Sequence, residues 1–179
     1  PGMIDGHAHQ FTPFLTAPEP GQNWENLNRI AYGVTTTVDP AHTVEQFALA
    51  DAIAAGLTIG PRMFGTGPLM HEFEFAYSQS DSGEIASRQS TYFKQPVLKS
   101  YNIGGRLDRQ RLLKETDKRG LTAIIENDGN HHHALSAILD GYSNLAHGLA
   151  FPLYQDMFTL VSESQTGIGY QFGTLRGEG

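Results

Sequence analysis

The feature that most constrains this chain is a repeated alternation. Short apolar or β-branched runs, each closing on an ionisable residue, are separated by runs with helical character. Residues 2–9 read as an apolar strand ending in Gly6-His7-Ala8-His9, and residues 34–38 are five consecutive β-branched residues closed by Asp39. A third strand is expected near residues 61–65. The fourth, residues 96–101, carries Lys99, and the fifth, residues 121–126, ends on Glu126. The sixth, residues 143–147, ends on His147, and residues 166–172 form a candidate seventh.

Helical segments fill the gaps. Trp24, Leu27 and Ala31 share one face of a helix over 23–31. Over 43–55, Thr43 and Gln46 make a capping-box pattern, Val44, Phe47, Ala48, Ile53 and Ala54 give the apolar side, and Gly56 gives the stop. Further helices are expected over 107–119, 132–139 and 153–163. Residues 10–22, with three prolines, read as loop. The polar mixture over 66–93 shows no clear period and is expected to be a long active-site loop.

Strands that alternate with helices long enough for crossovers imply an α/β fold with a mainly parallel sheet. A doubly wound sheet would string the ionisable strand ends along a crevice. A barrel would gather them at one mouth, and six of them (His7, His9, Asp39, Lys99, Glu126, His147) favour the barrel.

Composition narrows the function. At 179 residues the chain suits one domain. A net charge of −7 without any basic block weighs against nucleic acid and anionic membrane surfaces as partners. No apolar run reaches membrane-span length. With no Cys, there is neither a disulfide frame nor thiolate chemistry, so any metal ligands must be His and carboxylates. The compartment stays open: cytoplasmic, or periplasmic or secreted if a leader precedes Pro1.

His7 and His9 stand two apart on a strand, so their side chains point the same way. Two imidazoles placed so can reach one ion at about 2.0–2.1 Å. The competing reading is two ordinary polar residues at a strand end. Glu126 closes the apolar run Ala123-Ile124-Ile125, where a carboxylate is costly unless paired, hydrogen-bonded or metal-bound. An ion pair with Lys99 is the structural alternative for both residues. His147 could equally be a hydrogen-bonded core histidine.

The segments Ile4-Asp5-Gly6-His7-Ala8-His9 and Gly33-Val34-Thr35-Thr36-Thr37-Val38-Asp39 resemble the first- and second-strand signatures of the amidohydrolase superfamily. Residues 140–148, Asp-Gly-Tyr-Ser-Asn-Leu-Ala-His-Gly, resemble the sixth-strand signature of its imidazolonepropionase-like branch. The stretch from Leu153 to Glu178 resembles amidohydrolase domains fused behind TolB-like propeller repeats. The likeness runs over nearly the whole chain.

The resemblance implies a (β/α)8 TIM-like metal-dependent hydrolase barrel. Residues 1–179 would be a partial barrel domain of about seven strands, without the family's flanking β-sandwich. It implies one or two divalent ions, Zn²⁺ first and Mn²⁺ or Fe²⁺ as alternatives, held by His7, His9, Lys99, Glu126 and His147. Lys99 would be carboxylated and bridging. The reaction implied is hydrolysis of amide or cyclic amide C–N bonds in a small or peptide-like substrate. A phosphotriesterase- or lactonase-like hydrolase and an inactive truncated barrel are the alternatives.

Two departures stand out. Glu126, 21 residues before His147, takes a position usually held by His, as in the propeller-fused branch. No residue matches the eighth-strand Asp that serves the family as catalytic base, and seven strands would leave two edges that self-association could cover. Tyr101, on the same side of its strand as Lys99, and His71 are candidate substrate contacts. Asp39 and His42 are expected to line the pocket, with Asp39 alternatively capping the next helix. Glu72 and Glu74 could contact substrate. His131-His132-His133 read as a solvated helix start from which one ring, His133 by preference, could face the site. Gly104-Gly105 lacks the pattern of a phosphate loop.

Overall fold

Five β-branched residues in a row are stiff at χ1 and suit a pleated, half-buried surface. In the computed structural model they form β2 (Val34–Asp39), the middle of a parallel three-stranded sheet with β1 (Met3–Asp5) and β3 (Arg62–Gly65) in the order β1-β2-β3. The structure describes residues 1–9, 24–41, 44–68, 78–101, 105–127, 130–149 and 152–169. The chain divides into two units, Pro1–Leu69 and Met70–Gly179.

In the first unit, α1 (Trp24–Ala31) joins β1 to β2 and α2 (Glu45–Ala54) joins β2 to β3. The register sets Asp5 beside Thr37 and Asp39 beside Gly65. Thr37 and Asp39, two apart, are both buried on one face of β2. Gly56, at φ +74°, lets Leu57 N–H return to the Ala52 carbonyl at 2.9 Å and ends α2.

Two expectations fail here. The face expected to bury Trp24 is open, since Trp24 is 73% exposed and α1 buries Asn26 instead. Thr43 lies outside the described residues. Val44 takes the N-cap position of α2 without a side-chain hydrogen bond, and the residue α2 buries is Gln46.

The second unit is a parallel four-stranded sheet, β4 (Val97–Ser100), β5 (Thr122–Ile125), β6 (Asn144–Leu145) and β7 (Gly167–Ile168), in sequence order. Helices α4 (Arg106–Lys118), α5 (His131–Asp140) and α6 (Gln155–Ser164) make the crossovers. Their core gathers Ile125, Ala134, Ile138, Tyr142, Leu145 and Met157 beneath the sheet. Leu98 of β4 and Leu112 of α4 form a second cluster that Ile85 covers. Ser100 Oγ donates to the Tyr142 hydroxyl at 2.9 Å. Burial pushes the Tyr142 phenol up to about 12 against that bond, so it stays neutral and ties β4 to the α5–β6 turn. Asn130 caps α5 by accepting the His133 N–H at 3.1 Å, and Gly141 at φ +102° ends it.

The stretch expected as a long loop contains α3 (Gln79–Ser87), followed by a π-helical turn, Arg88–Tyr92. Ser78 and Asp81 form a reciprocal capping box, with Asp81 N–H to Ser78 Oγ at 3.1 Å and Ser78 N–H to Asp81 Oδ2 at 2.8 Å. The helix lacks an apolar stripe. It buries Ser82 and Ala86 and docks on α4 through Gln79, which donates to the Arg111 carbonyl at 3.1 Å and Glu115 Oε1 at 2.9 Å. The other elements match expectation to within a few residues, although β1, β6 and β7 are shorter than expected. The end of the expected seventh strand, 170–172, lies outside the described residues.

Seven strands, each parallel to its neighbours and alternating with helices, form the topology of an incomplete (β/α)8 barrel. No helix among the described residues is long and apolar enough to cross a membrane. Leu112 is fully buried, so Leu112→Ala is expected to lower the unfolding free energy by about 2–5 kcal/mol. Leu139, 66% exposed, should tolerate Ala at less than about 0.5 kcal/mol. Urea unfolding of both variants checks this, and equal costs would contradict the assignment of Leu112 to the core.

Candidate functional site

In both units the chemistry sits at the C-terminal ends of strands, the site-bearing ends of this fold class. In the second unit, parallel pairing sets Lys99 of β4 beside Ile124 of β5, one residue before the end of each strand. Lys99 is held inside, its side chain 1% exposed, and Nζ lies 2.7 Å from Glu126 Oε2. The other carboxylate oxygen, Oε1, bonds to His147 Nε2. One buried carboxylate therefore joins a residue of β4 to the residue that follows β6 by two.

Backbone bonds carry the same connection. Glu126 N–H donates to the Ser100 carbonyl at 3.0 Å, and Ala146 N–H to the Ile125 carbonyl at 2.8 Å. Asn127, fully buried, accepts the His147 N–H at 2.8 Å and donates to the Gly148 carbonyl at 3.0 Å. Asn127 fixes where His147 leaves the sheet. Sequence reasoning missed it, although a short amide directly after an apolar strand was the available signal.

Burial alone would raise the Glu126 carboxyl. Hydrogen bonds from His147 and Lys99, with their charges, outweigh burial and hold it at about 2. An ionised carboxylate only accepts, so His147 carries its proton on Nε2. The Lys99 ammonium lies 5.8 Å from the Tyr101 ring centroid, within cation–π range. Tyr101 thus meets Lys99 through its ring.

In the first unit, His7 and His9 follow β1 and meet as expected. Their rings are edge to face, with centroids 4.7 Å apart and Nε2 atoms 3.0 Å apart. His9 Nδ1 lies 3.1 Å from Asp39 Oδ1, and that oxygen also accepts the Ala41 N–H at 2.9 Å. Asp39 is buried, whereas the His9 side chain is 31% exposed. Arg29 of α1 fixes the backbone here by donating to the His9 carbonyl at 2.8 Å. A neutral His9 that donates from Nδ1 to Asp39 accepts at Nε2 from His7 Nε2–H. A directed chain results, His7 to His9 to Asp39. Asp39 thus holds a histidine and the turn after β2. His42, His71, Glu72 and Glu74 lie outside the described residues.

The expected metal centre is overturned. Among the described residues no group of three or more His, Cys, Asp or Glu is arranged to hold a metal ion. The pairings give the reason. His7 and His9 turn ring nitrogens toward each other and toward Asp39, while Lys99 and His147 both bond to Glu126. The expectations of Zn²⁺, Mn²⁺ or Fe²⁺ on His7, His9, Lys99, Glu126 and His147 are corrected accordingly, and these residues form hydrogen-bonded relays. Carboxylation of Lys99 is corrected too. A carbamate there would set a second negative charge directly against Glu126.

The chain matches no protein-family model and no curated protein. Membership of the imidazolonepropionase-like branch therefore gains no support, and the alternating parallel β/α topology of a TIM-barrel-like hydrolase fold stands.

The Glu126 carboxyl lies below its ordinary 4.5, so its ionised form adds stability that is fully present above pH 4.5 and is lost as pH falls toward about 2. Glu126→Gln is expected to flatten that part of the stability profile. At pH 7 it should cost about 3–5 kcal/mol, because it strands the buried Lys99 charge. Urea unfolding from pH 7 to pH 2 measures both effects, and an unchanged acid limb would contradict the assignment.

Proposed function

We propose that this chain is part of a hydrolase that cleaves amide or cyclic amide C–N bonds, with carboxylate-held histidines at strand ends as its proton-transfer groups. The observation that carries this reading is the recurrence of one pairing. Asp39 holds His9 in the first unit, and Glu126 holds His147 in the second.

Hydrolysis of an amide needs a base to take a proton from water and an acid to return one to the leaving nitrogen. A buried carboxylate prepares an imidazole for both tasks. It fixes the tautomer and the ring orientation, and it stabilises the imidazolium that forms. In the first unit, His7 takes the proton from water as its Nε2–H shifts toward His9, whose Nδ1–H is held on Asp39. Reversal of the same chain delivers a proton to the departing nitrogen. In the second unit, Lys99 and His147 both bond to Glu126, whose carboxyl is held well below its ordinary range, and that pairing fixes the His147 ring. The amidohydrolase resemblance at residues 4–9, 33–39 and 140–148 supports the choice of C–N bonds.

The test is a turnover panel of hydantoin, dihydrouracil, N-acetyl amino acids and dipeptides, with a lactone and a phosphotriester beside them. Amide cleavage by the wild type is expected, with kcat reduced about 10²- to 10⁴-fold in Asp39→Asn. Cleavage of the lactone or phosphotriester alone, or an unaffected Asp39→Asn, would overturn the reading.

A further inference from the structure

Glu126 and Asn127, adjacent at the end of β5, reach the same residue by different routes. Glu126 bonds to the His147 ring, and Asn127 bonds to the backbone on either side of it. Up to Ala146 the chain is held by strand pairing, with the Ala146 N–H on the Ile125 carbonyl at 2.8 Å. At the next residue the Asn127 amide takes over. A primary amide carries the same acceptor and donor as a peptide group. Its Oδ1 accepts the His147 N–H at 2.8 Å and its Nδ2 donates to the Gly148 carbonyl at 3.0 Å, so the side chain stands in for one more peptide of the strand.

The amide is itself firmly seated. Asn127 is fully buried, and its own carbonyl accepts the Asn130 N–H at 2.9 Å, which ties it to the start of α5. Its two bonds bracket the soft backbone dihedrals of His147, and those dihedrals aim the Cβ and the ring. The ring is only partly buried, so its aim depends on where the backbone puts it. We infer that Asn127 is a positioning residue: by holding the His147–Gly148 backbone, it keeps the His147 ring on Glu126 at the angle that proton transfer to an amide substrate requires. The inference rests on the hydrolase reading of His147. It assigns Asn127 no contact with substrate.

An amide with a merely architectural role would satisfy two backbone groups and leave the chemistry alone. Three variants separate the roles. Asn127→Ala removes both bonds. Asn127→Asp keeps the oxygen that accepts the His147 N–H and gives up the donor to Gly148. Leu112→Ala lowers stability from the core, away from His147. Asn127→Ala is expected to lower kcat about 10- to 100-fold with KM within about twofold of the wild type, as a misplaced transfer group does. Asn127→Asp should lower kcat by about three- to tenfold, and Leu112→Ala by less than about twofold.

Proton NMR reads the ring without turnover. In the wild type the His147 ring N–H, assigned by its loss in His147→Gln, should exchange slowly with solvent because Glu126 holds it. In folded Asn127→Ala it should exchange fast. A kcat lowered no further than in Leu112→Ala, or an unchanged ring exchange, would overturn the assignment. If Asn127→Ala does not fold, the same two readouts in Asn127→Asp decide, and wild-type values there overturn it. If the wild type cleaves no amide, the hydrolase reading falls, and ring exchange still decides whether Asn127 positions His147.

Discussion

The buried Lys99–Glu126–His147 cluster is the interaction on which the second unit's working end depends. Taking an ammonium and a carboxylate out of water costs several kcal/mol for each ion, and only close, saturated pairing recovers it. The pairing here is close, with Nζ 2.7 Å from one carboxylate oxygen and an imidazole on the other. Apolar side chains of similar size would join the ends of β4, β5 and β6 without that cost. Charges in their place reduce stability, and the proposed function gives them a part in proton transfer. Asn127, which follows Glu126, complements them by holding the backbone beyond β6 at His147 and Gly148, so that the chain after β5 and the chain after β6 meet through a second connection.

The first unit reaches the same chemical solution by different local means. Its carboxylate, Asp39, closes β2 and is locked by the Ala41 N–H as well as by His9. The β-branched run that makes β2 rigid also fixes where Asp39 lies, because Thr37 and Asp39 share the buried face. His9 is anchored from the backbone side by Arg29. In each unit a stiff strand delivers a carboxylate into the interior, and the carboxylate orients a partly exposed ring.

Much of this was legible in the sequence, for physical reasons. Strand positions follow from β-branched runs and helix ends from glycines, so the parallel β/α alternation could be read from residues 34–39, 97–100 and 122–125. The ionisable strand ends were equally visible. Their partners were not. His7-Ala8-His9 is compatible with a shared ion or with rings bonded to each other, and spacing alone does not separate the two. Lys99 and Glu126 are compatible with shared ligation or with an ion pair, and only the 2.7 Å contact decides. Helix α3 escaped notice because polar bonds from Gln79 and a capping box hold it, and hydrophobic periodicity senses neither. The opposite error occurred at α1, where a periodic apolar face exists but Trp24 remains exposed. Asn127 escapes a sequence reading because its significance lies in what surrounds it, which a sequence pattern does not record.

The most direct test of the buried cluster is a double-mutant cycle on Lys99→Met and Glu126→Gln, followed by urea unfolding at pH 7. Two groups that share a buried bond should show a coupling energy of about 1–3 kcal/mol, with the double variant more stable than the sum of the single losses implies. A coupling below about 0.5 kcal/mol, the additivity of independent sites, would mean that Lys99 and Glu126 are not partners and that the relay does not organise this end of the sheet.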